Sequence, residues 1–123
     1  MIPKHEQLVE QLMTKTKEGS INWEGTDAQD QYVLKLKRGA ILFDKFQASS
    51  FDFGSIAAGG EPTYSYRFTI LNNDGEEIDH VTIRRADNQY IHIAQMFYGI
   101  YRKVNRIDEQ LNEIISELES GGS

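Results

Sequence analysis

The chain has 123 residues, a formal net charge of −6, 39% apolar residues and 26% charged residues. This length and balance indicate one globular domain with a core of its own. There is no cysteine, which excludes disulfides, thiolate metal sites and cysteine nucleophiles. The excess of acidic residues disfavours non-specific binding to nucleic acid.

The sequence also bears on where the protein works. The first residues, MIPKHEQLVEQLMTK, mix charged and apolar side chains and lack the apolar stretch of a signal peptide. No apolar run approaches the roughly 20 residues that a membrane-spanning helix needs. We therefore expect a cytoplasmic protein without a membrane partner. The domain is expected to cover residues 1–119, with 120–123 as a flexible tail or linker.

The first predicted element is an amphipathic helix from about Lys4 to Glu18. Its apolar residues recur at helical spacing, Pro3 precedes it and Gly19 provides a natural end. The loop that follows carries the one tryptophan, Trp23. We expect its ring to plug one end of the core rather than to form a ligand platform.

Four strands are predicted next, in the stretches QYVLKLK, AILFDKF, TYSYRFTIL and EEIDHVTIRR. A tight reversal at Arg38-Gly39 joins the first two, and NNDG (Asn72–Gly75) predicts a hairpin between the last two. Such short connections favour an antiparallel meander. We expect one face of this sheet to be buried and the other to be open to solvent.

A long helix is predicted from Tyr90 to Glu119, with Asp87 or Asn88 as its cap. Its apolar residues recur at alternating steps of four and three. At 1.5 Å per residue the helix would be about 45 Å long, too long for one sheet face to cover. Its second half narrows to a coiled-coil-like seam. The seam residues are Val104, Ile107, Leu111, Ile114 and Leu118.

The seam needs a cover, and the sequence leaves two alternatives open. The N-terminal helix of the same chain can fold back onto it, or a second copy can supply a matching seam. We favour the second copy, because Arg102, Lys103 and Arg106 lie at one end of this half-helix and five carboxylates lie between Asp108 and Glu119. Antiparallel pairing would set basic ends against acidic ends. The chain is therefore expected to form a homodimer or higher oligomer.

Motifs for catalysis or metal binding are absent from the sequence. His5, His80 and His92 are far apart and have no carboxylate at ligand spacing. No nucleophile elbow, P-loop or dinucleotide fingerprint occurs. Asp79 precedes His80 directly, and neighbours on a strand point to opposite faces. We expect no enzymatic activity, no cofactor and no metal.

The open sheet face is the first candidate for a ligand site. Strand alternation places cations and hydroxyls on it, and these suit an anionic small molecule. An ordinary solvated face is the simpler interpretation. The candidate residues are Lys35, Lys37, Arg67, Thr69, His80 and Arg84.

Two other segments are candidates for the same kind of ligand. Tyr98, Tyr101 and Arg102 combine stacking with charge, which would suit a nucleotide, although such tyrosines more often lie at a core edge. The segment GSIAAGG lies in a connection longer than a meander requires, but it lacks the spacing of a phosphate loop. Its candidate residues are Ser55, Gly59 and Gly60.

The order of these features resembles a loose set of small, mostly uncharacterised bacterial and phage-associated proteins. The shared features are a GxIxW element (Gly19, Ile21 and Trp23), an NxDGExI-like hairpin ending at Ile78, and a closing helix. The similarity spans most of the chain. It implies a small α+β fold and an association with mobile elements and phage–bacterium conflict, and it carries over no catalytic residue.

The sequence therefore predicts an α+β fold, with an N-terminal helix, a four-stranded antiparallel meander and a long C-terminal helix. The expected function is that of a non-enzymatic interaction protein that self-associates through the C-terminal helix. The alternative is a binding or sequestering protein for an anionic, nucleotide-like small molecule, which would use the basic sheet face and the glycine-rich loop.

Overall fold

The computed structural model describes residues 2–47 and 63–121, and within these ranges the chain has the predicted α+β architecture. Helix α1 covers Pro3–Glu18. The strands of the described residues are β1 (Glu24–Gly25), β2 (Gln31–Leu36), β3 (Gly39–Gln47), β4 (Tyr64–Leu71) and β5 (Glu77–Ile83). Two helices follow, α2 (Tyr90–Val104) and α3 (Ile107–Glu119).

Helix α1 begins and ends close to the predicted residues. Pro3 occupies its first turn, where a missing N–H costs nothing. At the other end, Gly19 takes a left-handed φ of +77°, and its N–H donates to the carbonyl of Thr16 at 3.2 Å. Val9 and Leu12 are buried, so the predicted apolar side of α1 is the side that meets the core.

The strands form one antiparallel sheet in the order β1-β2-β3-β4-β5. This is the predicted meander with one strand more than expected, because β1 adds two residues that pair with β2. Two residues are too few to give a periodic signal in the sequence. In β5, Val81 lies opposite Phe68 and Ile83 opposite Tyr66. Because Val81 and Ile83 are buried, His80 lies on the opposite face of the sheet, where the sequence places it.

The first hairpin turns one residue earlier than predicted. Leu36 pairs with Gly39, so the turn consists of Lys37 and Arg38. Gly39 opens β3 with a φ of +152°, which side chains rarely tolerate. Lys37 is consequently a turn residue and does not continue the row of outward side chains on β2.

The second hairpin, at Asn72–Gly75, is confirmed. The Oδ1 atom of Asn72 accepts the backbone N–H groups of Asp74 and Glu76 at 2.9 and 3.0 Å. Gly75 takes a left-handed φ of +81°. The side chain of Asn72 thus satisfies the backbone donors of the turn, which is the usual role of asparagine there.

The core lies between the inner face of the sheet and helices α1 and α2. Phe43 is at its centre: its ring stacks on Phe68 at 4.4 Å and meets Phe97 edge-on at 5.2 Å. Trp23 lies 5.6 Å from Phe43, and its Nε1 donates to the hydroxyl of Thr16 at 3.0 Å. Trp23 therefore closes one end of the core, as predicted.

The predicted long helix is broken between α2 and α3. Arg106 has φ +54° and ψ +42°, a left-handed conformation that no α-helix can continue through. The Nδ2 atom of Asn105 donates to the carbonyl of Tyr101 at 2.9 Å and closes the end of α2. The prediction of one continuous helix over Tyr90–Glu119 is therefore wrong. It failed because the spacing of apolar residues continues unchanged across the break. The break itself comes from the backbone conformation of Arg106, which the spacing of apolar residues does not indicate.

The predicted cap of this helix is also wrong. Gln89 precedes α2, and among the described residues no side-chain hydrogen bond caps the helix. The Oδ2 atom of Asp87 instead accepts the N–H of Arg84 at 2.7 Å. Asp87 thus stabilises the turn between β5 and α2 rather than the helix end.

Replacing Gly39 with alanine is expected to destabilise the protein by about 2–4 kcal/mol. An added Cβ would lie 2.1 Å from the backbone oxygen of Leu71, so β3 and β4 would have to separate. Urea unfolding measures the loss. The control is Gly75→Ala, which has a left-handed φ but no atom within 4 Å of the new Cβ; it should cost only about 1–2 kcal/mol. Equal losses in the two variants would contradict the importance of the close approach at Gly39.

Candidate functional site

The sheet face that points away from the helices carries several of the predicted ligand residues. Thr69 lies opposite His80 and Arg67 opposite Thr82, so these residues share a face as the alternation predicts. Lys35, Arg67 and His80 of this face each lie close to a carboxylate. The pairs are Lys35 Nζ–Glu24 Oε2 at 3.3 Å, Arg67 Nη2–Asp44 Oδ2 at 3.6 Å and His80 Nδ1–Glu77 Oε2 at 3.2 Å.

This pairing lowers the positive potential that the sequence predicts for the face. The Arg67 guanidinium also lies over the Phe46 ring, 5.0 Å from its centroid. Thr69 is buried rather than exposed. Lys37 is in the turn and Arg84 follows the last residue of β5, so neither lies on a strand. Alternation shows which residues share a face, but the carboxylates beside Lys35 and Arg67 come from neighbouring strands, and the one beside His80 lies three residues earlier on β5.

The aromatic and basic residues predicted on the C-terminal helix do lie together on α2. The Tyr98 and Tyr101 rings stack at 6.2 Å, and Arg102 donates to the Tyr98 hydroxyl at 3.1 Å. Arg102 also pairs with Asp108 at the start of α3. The hydrogen bonds to Asp108 and then to Tyr98 raise the pKa of Arg102 above its usual value. Its charge therefore serves the junction between α2 and α3.

The predicted residues of the glycine-rich loop, Ser55, Gly59 and Gly60, lie outside the described residues.

Helix α3 has one apolar side that stays exposed; we call it the α3 apolar face. Leu111, Ile114, Ile115 and Leu118 are 44%, 45%, 49% and 68% exposed. Their spacing of three and four residues places them on one side of the helix. Helix α1 packs against α2 and leaves this face uncovered. The intramolecular cover that the sequence left open is thus not found among the described residues.

The break divides the predicted interface residues between two environments. Val104, the last residue of α2, packs against the core, and Ile107 is half-buried. Leu111, Ile114 and Leu118 remain exposed. The α3 apolar face therefore contains three of the five predicted interface residues together with Ile115, and their role in an interface stays a prediction.

Carboxylates surround the α3 apolar face. Asp108 and Glu109 lie in the first turn, where the helix dipole favours them, and Glu109 also pairs with Arg106 at 2.8 Å. Glu117 and Glu119 lie at the opposite end, whose last turn has no basic residue. Anions are unfavourable at that end. The C-terminal part of α3 thus has negative charge that a partner could neutralise.

An apolar groove of about 590 Å³ lies between α1 and α2; we call it the α1–α2 groove. Its apolar lining comes from α1, from the loop that carries Trp23 and from α2. The apolar lining residues are Met13, Ile21, Trp23, Met96, Ile100 and Val104. Lys17, His92 and Lys103 also line it. The groove therefore combines an apolar floor with cationic edges.

Sequence reasoning missed this groove because its apolar residues fit the pattern of an ordinary core. One signal could have indicated it. Gly99 lies in the middle of α2, where glycine is unfavourable, and an added Cβ there would meet no atom of the described residues within 4 Å. A residue without a side chain thus leaves space on a helix surface beside Met96 and Lys103.

The N-terminal helix is tied to the sheet by a histidine and an aspartate. His5 Nε2 lies 2.8 Å from Asp79 Oδ2. This hydrogen bond, and then the N–H of His80, lower the pKa of Asp79 below its usual value. The pair connects the first turns of α1 to β5.

The described residues contain no group of three or more histidine, aspartate or glutamate side chains placed to hold a metal ion. In the same part of the chain, no helix has both the length and the apolar character to cross a membrane.

Comparisons with protein-family models, curated proteins and solved structures find no significant match to this chain. The resemblance to small bacterial and phage-associated proteins thus stays an interpretation of the sequence. The surfaces of the molecule are the basis for a functional proposal.

The His5–Asp79 pair predicts a loss of stability in acid. Because the pKa of Asp79 is lowered on folding, its contribution is present above the unfolded pKa, about 3.9, and is lost as the pH falls through the lower folded value. Asp79→Asn should therefore lose less stability than the wild type between about pH 4 and the acid limit. Urea unfolding as a function of pH measures this, with Asp27→Asn as the control for removing one exposed carboxylate. An unchanged acid profile in Asp79→Asn would contradict the linkage.

Proposed function

We propose that the protein is a non-enzymatic interaction protein of the cytoplasm that self-associates through helix α3. The α3 apolar face carries this proposal. It sets four large aliphatic side chains, 44–68% exposed, on one side of a 13-residue helix. Contiguous exposed apolar surface of this kind marks interaction sites, because removing it from water is favourable by about 25 cal/mol per Å².

The helix itself supports the same proposal. Isolated helices of fewer than roughly 12–15 residues are marginal in water, and most helices depend on packing of their apolar side. No residue of α3 is buried within the described chain, and its main neighbour is the end of α2. A partner that covers the α3 apolar face would therefore stabilise the helix as well as the complex.

A second copy of the chain is the partner we propose. Each copy carries the same apolar face and the same cluster of carboxylates at the end of α3. The cations nearest to α3, Arg102 and Arg106, already pair with Asp108 and Glu109 of their own chain. The surface that receives α3 must therefore supply both apolar contacts and further cations.

The alternative function, binding of an anionic, nucleotide-like ligand on the sheet face, ranks second. Its main candidate residues, Lys35, Arg67 and His80, have carboxylates beside them. No observation among the described residues favours it over self-association.

The double variant Ile114→Ser, Leu118→Ser is expected to weaken self-association by at least about 100-fold. Truncating two aliphatic side chains that become buried on association removes about 3 kcal/mol or more. The free energy of unfolding of the monomer should change little, because both side chains are about half exposed or more. Sedimentation equilibrium and urea unfolding measure the two quantities separately.

The matched control is Gln110→Ser, Asn112→Ser, which changes two exposed polar residues of the same helix. It should associate as the wild type does. A wild-type chain that remains monomeric at high concentration would overturn the proposed function.

A further inference from the structure

We propose that the α1–α2 groove of one copy receives helix α3 of a second copy. The contact is reciprocal, because the groove of the second copy receives helix α3 of the first. This inference rests on the proposed function and identifies the surface that accepts the α3 apolar face. It makes the protein a helix-in-groove dimer rather than a pair of α3 helices packed on each other.

The shape of the two surfaces supports this arrangement. The apolar residues of α3 follow the i, i+3, i+4, i+7 pattern of helices that dock into grooves. From Leu111 to Leu118 they span about 11 Å, and the groove extends along α2 from His92 to Val104 for about 18 Å. Met13 and Met96 line the groove, and methionine adapts readily to the shape of an incoming side chain.

The charges are complementary as well. Lys17 and Lys103 line the groove, and among the described residues neither of them takes part in a salt bridge. The C-terminal half of α3 carries carboxylates without neighbouring cations of its own. Docking would bring these opposite charges together, and opposite charges across an interface favour one partner and one orientation.

The docked helix belongs to a second copy, because α3 starts on the side of its own α2 that faces away from the groove. Asp108 is bound by Arg102, whose guanidinium lies against Tyr98. Neither Arg102 nor Tyr98 lines the groove, whereas Gly99 and Lys103 do. Only two residues, 105 and 106, connect the helices. While the Arg102–Asp108 pair is kept, α3 is directed away from the groove of its own chain.

The area of contact also favours the exchange. A pair of α3 helices would bury one narrow face per chain. The reciprocal arrangement buries a helix face and a groove in each chain, which doubles the contact and brings it closer to the roughly 1,600 Å² of a typical stable interface. The two contacts are related by a two-fold axis, so the assembly closes as a dimer.

The main test blocks the groove without touching α3. Gly99→Glu places a bulky anion in the groove, and the open space around Gly99 allows the fold to accept it. We expect dimerisation to weaken at least tenfold by sedimentation equilibrium. Gly99→Ala, which leaves the groove open, should dimerise as the wild type does. A second variant, Lys17→Glu with Lys103→Glu, alters only exposed charges and should also weaken the dimer.

Mixing two defective variants provides a test specific to reciprocal exchange. Gly99→Glu has an intact α3, and Ile114→Ser, Leu118→Ser has an intact groove. Mixed one to one, they can form one of the two contacts. The mixture should therefore associate more tightly than either variant alone and less tightly than the wild type.

Trp23 reports on the groove directly, because it is the only tryptophan and lines the cavity. Its fluorescence should change with protein concentration in the wild type and remain constant in Gly99→Glu.

If Gly99→Glu still dimerises while Ile114→Ser, Leu118→Ser does not, the groove inference fails and the proposed function stands. A monomeric wild type would overturn both. If that monomer changes its Trp23 emission on addition of decanoate, an amphipathic anion, the groove is a small-molecule site instead.

Discussion

The packing of aromatic rings around Phe43 is the contact on which the rest of the structure depends. Phe43 is fully buried and meets rings from the first loop, from β4 and from α2. Each aromatic pair contributes about 0.5–1.5 kcal/mol beyond the area that it buries. Because Phe97 belongs to this cluster, α2 is fixed against the sheet. Because Trp23 belongs to it, the floor of the α1–α2 groove is fixed as well.

The break at Arg106 places the two halves of one apolar repeat in different environments. Before the break, the pattern places Ile93, Phe97 and Ile100 in the core. After it, the same spacing places Leu111 and Leu118 in solvent. The ion pair between Arg102 and Asp108 fixes where α3 starts. A surface helix with an apolar side is thus attached to the packed domain by a two-residue connection, and this separates the parts that fold the protein from the part proposed to bind.

The distribution of charge follows a similar division. On the sheet, Lys35 and Arg67 lie beside carboxylates of neighbouring strands, so a surface that looks basic in the sequence is close to balanced in the structure. Lys17 of α1 and Lys103 of α2 both line the groove, and no carboxylate is among its described lining residues. Surface ion pairs contribute little to stability, so we expect this arrangement to affect the proposed partner recognition more than folding.

Local patterns in the sequence were sufficient for most of the fold. Helix α1 and its glycine end, the meander, the Asn72 turn and the inward side of β5 all depend on residues close together in the chain. Three features depended on tertiary structure. The short β1 exists because β2 offers it an edge, the helix break depends on one backbone conformation, and the groove combines α1, the Trp23 loop and α2. The sequence by itself determined which side of each element is apolar, whereas only the packing decided which apolar side chains are covered, because burial depends on residues distant in the chain.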